Sequence, residues 1–213
     1  QYRLTHPDHV QDTVFAPSNA WFPDIRFLGA GAGSEIEVDA LSYGHGIMSS
    51  HTDAFFSVDR NSNGLAGTAV AGQVLADREA DIFASNFAES NTQIYDANGS
   101  NGAPNVGLAE PTSTNIDGLD MRALSPSGHI YWSVDRETAE TEHPYAAAAV
   151  SGADIFISQA AGGYSLTNPP KRYATANDLG LTETDDIDAL VVIEIKNDEV
   201  FDTTEDIVYY SLV

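Results

Sequence analysis

Three short acidic segments each place two oxygen-bearing side chains two residues apart: Glu37 and Asp39, Asn115 and Asp117, Asp186 and Asp188. Residues i and i+2 of an extended strand share a face. Each segment therefore presents its two oxygen donors side by side and turns Val38, Ile116 or Ile187 the other way. Carboxylates held that close repel one another unless a cation or a proton relieves them. Ca2+ suits this donor set, because it accepts carboxylate, amide and backbone oxygens in a flexible geometry. The expectation is a Ca2+-stabilised chain with these six residues as ligands. The structural alternative is that the Asp side chains cap turns, accept backbone N–H bonds or pair with Arg60 and Arg136. No EF-hand loop or nonapeptide calcium repeat adds to the calcium reading.

A second group could do different chemistry. Tyr43, His45, His51 and Asp53 lie close together in SYGHGIMSSHTD, and His, Tyr and carboxylate are the side chains of general acid–base catalysis and of transition-metal sites. Their spacing matches no metal or nucleophile motif, so they read as solvated loop residues, as do the isolated His129 and His143. Serine-nucleophile and phosphate-loop chemistry find no support. There is no GxSxG, and GAGAGS (residues 29–34) lacks the P-loop lysine and leads into an acidic strand rather than a helix.

The elements that must position these groups repeat along the chain. An Asp-Ile dipeptide opens each copy (Asp24-Ile25, Asp81-Ile82, Asp154-Ile155), an acidic strand follows (EVDAL, NIDGL, DIDAL), and an aromatic strand closes it (AFFSVDR, IYWSVDR, VYYSLV). The copies span residues 24–60, 81–136 and 154–213, within a single domain of 1–213. Further strand candidates at TQIYDANG and GGYSLTNP bring copies two and three to about four strands each. Four antiparallel strands per repeat make a propeller blade. The predicted fold is all-β with pseudo-threefold repetition, β-propeller-like, the alternatives being a β-prism or a trefoil. Helix is expected only in short alanine-rich stretches at 69–79 and 145–150. The repeated Ser-x-Asp of Ser57-Asp59 and Ser133-Asp135 reads as a turn-holding device.

Composition narrows the function. Acidic residues outnumber basic ones 32 to 9, for a net charge of -23, a field that repels nucleic acid and anionic lipid and attracts cations. Apolar residues make up 42%, enough for a core. With no cysteine there is no disulfide, thiolate nucleophile or cysteine-based metal site. No apolar run is long enough to span a bilayer. A chain beginning at Gln1 reads as a mature form after signal cleavage.

The stretch ADIFIS through LGLTETDDIDALVV to DIVYYSL (Ala153 to Leu212) resembles a repeat of exported, often surface-associated proteins of planctomycetes, myxobacteria and related bacteria. The resemblance implies location and architecture and carries over no catalytic residue. Copy one departs from it by lacking the Gly-Leu element that the others keep at Gly107-Leu108 and Gly180-Leu181. The expected function is an exported, non-enzymatic binding or structural module, secreted or at the bacterial cell surface. Its expected partner is an extracellular glycan or a surface protein, with Trp21, Trp132 and the tyrosines as stacking faces. The rival is a polysaccharide lyase or glycoside hydrolase working through the His, Tyr and carboxylate group.

Overall fold

The structure, a computed structural model, describes residues 38–42, 54–59, 62–73, 78–85, 90–97, 99, 103, 106, 108, 115–121, 129–136, 150–159, 170–196 and 198–213. Among them the chain is almost entirely antiparallel β. Its strands are β1 (Leu41–Ser42), β2 (Ala54–Phe56), β3 (Ile82–Ser85), β4 (Thr92–Tyr95), β5 (Ile116–Met121), β6 (His129–Val134), β7 (Ile155–Gln159), β8 (Lys171–Ala174), β9 (Ile187–Ile193) and β10 (Ile207–Leu212). They form three sheets of order β1-β2-β3-β4, β5-β6-β7-β8 and β10-β9, and none of these closes on itself.

The alanine-rich stretch at 69–79 yields a single turn, α1 (Ala69–Gly72). The Thr68 hydroxyl caps its start by accepting the Ala71 N–H at 3.4 Å, and Gln73 is already extended. The strand expected in GGYSLTNP and most of the 145–150 stretch lie outside the described residues; the fourth strand of the second sheet is Lys171–Ala174.

The sheets cut across the copies seen in the sequence. β3 and β4 belong with β1 and β2, although the Asp81-Ile82 signature groups them with β5 and β6. The signature has a structural cause. Asp81 and Asp154 are buried at the heads of β3 and β7. Asp81 Oδ1 accepts the Ala97 N–H at 3.1 Å, and Asp154 Oδ1 accepts the Ala176 N–H at 2.9 Å. Each carboxylate thus fastens the chain just beyond the fourth strand back to the start of the third. Gln93 and Arg172, from those fourth strands, approach the same two carboxylates at 2.8 and 3.4 Å.

Apolar clusters separate the layers. Phe55, Ile82 and Tyr95 of the first sheet meet Leu119, Met121, Ile130, Trp132 and Phe156 of the second. On the second sheet's opposite face, Tyr131, Ile155, Ile157 and Tyr173 meet Ile187, Leu190 and Val192 of the third. A third cluster, Val38, Phe56, Val58, Val70 and Phe83, lies on the far side of the first sheet. Trp132 is fully buried, stacked on Phe156 with ring centroids 4.8 Å apart, and its Nε1–H donates to Ser158 Oγ at 3.0 Å. It is a core residue and offers no stacking face for a sugar.

Candidate functional site: an acidic convergence between sheets

The first strands of successive sheets lie side by side, and buried polar side chains join them. Ser57 Oγ accepts the Ala40 N–H at 3.1 Å and donates to the Ile116 carbonyl at 2.8 Å. Ser133 Oγ donates to the Ile187 carbonyl at 3.1 Å. The serines therefore bridge neighbouring sheets; the turn-holding role expected of them is not what they do. Ser42 Oγ accepts the Met121 N–H at 3.2 Å, and Asp120 Oδ2 accepts the Val192 N–H at 2.8 Å. Sequence reasoning passed over these two acceptors, although each lies three residues past the central Asp of its acidic segment. Close approach explains Gly118, since a Cβ there would lie 2.4 Å from Ser133 Oγ and 3.3 Å from Ile187 Cγ2.

This docking gathers the acidic residues. Val38, Ile116 and Ile187 are buried on their apolar faces, and the alternating residues Asp39, Asp117, Asp186 and Asp188 come together with Asp135 at the ends of the strands. Burial, and after it the charges of Asp186, Asp39, Asp188 and Asp135, push the Asp117 carboxyl up from 3.8 to about 9. At neutral pH in the absence of a cation, Asp117 keeps its proton. Asp186 is also raised, chiefly by burial, against the lowering effect of the Arg136 N–H that its Oδ2 accepts at 3.1 Å. Its Oδ1 is buried with no hydrogen-bond partner among the described residues, close enough to Gly152 that a Cβ there would lie 2.3 Å away.

One contact in the cluster is of the kind the structural alternative expects, the Asp186 carboxylate accepting a backbone N–H. Besides the Asp186 bond, Asp188 Oδ2 accepts the Ser211 hydroxyl at 3.1 Å, and the Asp135 N–H donates to the Asn115 carbonyl at 3.2 Å. Of the six predicted ligands, the structure brings Asp117, Asp39, Asp186 and Asp188 together and places Asn115 at the head of the same strand. Glu37 lies outside the described residues, as do Tyr43, His45, His51 and Asp53. Among the described residues, no group of three or more His, Cys, Asp or Glu side chains is arranged to hold a metal ion as it stands.

His129 is not isolated. It is buried, with Nδ1 3.6 Å from Glu194 Oε2 and Nε2 3.3 Å from Glu199 Oε1. The Tyr131 hydroxyl donates to Glu194 Oε2 at 2.5 Å, and Lys171 pairs with Glu199. The group ties the outer end of the second sheet to the segment after β9, across more than sixty residues of chain that no local spacing could connect.

No protein-family model, curated protein or solved structure matches the chain. No helix among the described residues is long and apolar enough to cross a membrane.

Proposed function

We propose that this chain is an exported bacterial β-repeat module, propeller-like in architecture, that acts by binding and scaffolding, with its converging acidic strands holding Ca2+. One observation carries the reading: Asp39, Asp117, Asp135, Asp186 and Asp188, supplied by three sheets, meet where burial and mutual repulsion keep one of them protonated. A gathering of like charges in a chain of net charge -23 is stabilised by a proton or by a cation. A hard divalent ion relieves several carboxylates at once. Binding requires the Asp117 proton to leave and the carboxylates to rotate toward a shared centre.

The propeller-like reading is supported by the meander order of the two four-stranded sheets and by the side-by-side placement of first strands. Function then sits in what the stacked sheets display, with an extracellular glycan or surface protein as partner.

Calorimetric titration with CaCl2 tests the proposal. Saturable binding is expected, with thermal melting raised relative to EDTA-treated protein at matched ionic strength. A ligand at 100 times its dissociation constant contributes about 2.7 kcal/mol when it binds only the native state. Absence of binding heat together with identical melting in EDTA and in calcium leaves the cluster as a proton-sharing structural network and overturns the calcium reading.

A further inference from the structure

The acidic convergence makes no use of His129, a buried titratable side chain with a carboxylate beside each of its two ring nitrogens. Nδ1 lies 3.6 Å from Glu194 Oε2, and Nε2 lies 3.3 Å from Glu199 Oε1. A neutral imidazole has one N–H and one lone pair, so it would turn a lone pair toward one of the two carboxylates. The imidazolium donates from both nitrogens and suits both. Formal charge points the same way. Glu194, Glu199 and Lys171 sum to one negative charge, with the Glu194 side chain at 0% exposure, and a proton on His129 balances it. The carboxylates stand at opposite edges of the ring and share no centre that a metal ion could occupy, in keeping with the lack of a metal-holding group among the described residues.

The group holds a strained piece of chain. Among the described residues, Glu199 is the only one other than glycine with a left-handed backbone, at φ 62°, a conformation in which a Cβ crowds the backbone. Its N–H donates to Glu194 Oε1 at 2.5 Å, and its carboxylate meets His129 and Lys171. The flanks are fastened separately: Asp206 accepts the Ile195 N–H at 2.9 Å and the Tyr173 hydroxyl at 3.0 Å, and Phe201 packs edge-on to Tyr173. What depends on His129 is therefore the turn around Glu199.

We propose that His129 is a proton-dependent latch: when protonated it bridges Glu194 and Glu199 and holds the β9–β10 connection against the second sheet, and when it loses its proton the turn around Glu199 opens. Among the described residues, the titratable and charged groups that face the ring are Tyr131 of its own strand, Lys171 of β8, Glu194 after β9, and Glu199. Gln159, its register partner on β7, carries no charge. Histidine is the side chain whose charge changes between pH 5 and 8, so the latch responds to the pH of the surroundings. The latched state holds one more proton than the open one, and opening becomes easier by up to about tenfold for each pH unit.

Amide exchange followed by NMR on the whole chain in EDTA tests this. Each rate is divided into the intrinsic rate at that pH, and the Ile157 amide of β7 reports global opening. The protection of the Glu199 amide is expected to fall by about tenfold or more from pH 5.5 to 8, beyond any change at Ile157. Glu199→Gln supplies an amide that can donate to or accept from a neutral ring. Its position-199 amide is expected to keep a protection that is flat with pH. Long-range 1H–15N spectra of the unmodified chain read the ring directly, with both nitrogens protonated at pH 5.5 and one at pH 8. Flat protection in the unmodified chain, an undiminished slope in Glu199→Gln, or a ring with one proton across the whole range would each overturn the latch.

Discussion

An unfolded chain releases the Asp117 proton at the ordinary value of 3.8, whereas the folded chain holds it to about 9. Between those values the native state binds the extra proton. Its stability without cation is therefore full below about pH 4, falls as pH rises through the interval, and levels off above about 9. Calcium reverses the trend, because it competes with that proton and binds more tightly as the proton is lost. Asp117→Asn removes both effects. EDTA-treated Asp117→Asn protein is expected to melt above the unsubstituted chain at pH 8, with a flatter pH profile from 5 to 8, and to gain little from calcium. Thermal melts at three pH values, with and without calcium, check this. A steeper profile in the variant would remove Asp117 from the centre of the cluster.

Polar fasteners hold the strands in their sheets alongside apolar packing. Asp154 accepts the Ala176 N–H through one oxygen and the Ser151 N–H through the other, at 2.9 and 3.1 Å, while almost wholly buried. Asp154→Ala strands both donors, a loss of about 1–3 kcal/mol for each buried group left unsatisfied. Urea unfolding is expected to show a lower midpoint with an unchanged slope. The exposed Asp178, which closes the Thr175 turn through N–H and hydroxyl bonds, serves as a comparison. Asp178→Ala is expected to cost less, because water replaces its bonds. Equal losses at the two sites would mean that the Asp-Ile signature does not fasten the sheet.

Over the whole molecule, 32 acidic residues against 9 basic ones make folding compress a strongly like-charged chain. Monovalent salt screens that repulsion, its reach shrinking to about 3 Å at 1 M. The calcium-free chain is expected to melt higher in molar NaCl than in dilute buffer. Differential scanning calorimetry at constant pH checks this. Calcium added at matched ionic strength stabilises beyond this screening, which separates a bound ion from a diffuse atmosphere.

The period-2 alternation of NIDGL and DIDAL was enough to put Ile116 and Ile187 on one face of their strands and their acidic neighbours on the other, because that alternation belongs to the strand backbone itself. The all-β class followed from the same local signals. The Asp-Ile signature was visible as a repeat, but its task was not, since the Ala97 and Ala176 N–H groups it holds come from beyond the next strand. Trp132 was legible as an aromatic strand residue, yet its burial depended on Phe156 and the sheet before it. His129 gained its two glutamates only through the segment after β9. Residue types and spacing thus determined the strands and the oxygen pairs each acidic strand offers. How three sheets stack decided that Asp39, Asp117, Asp186 and Asp188 share one place, because their mutual repulsion depends on distances between segments that are far apart in the chain.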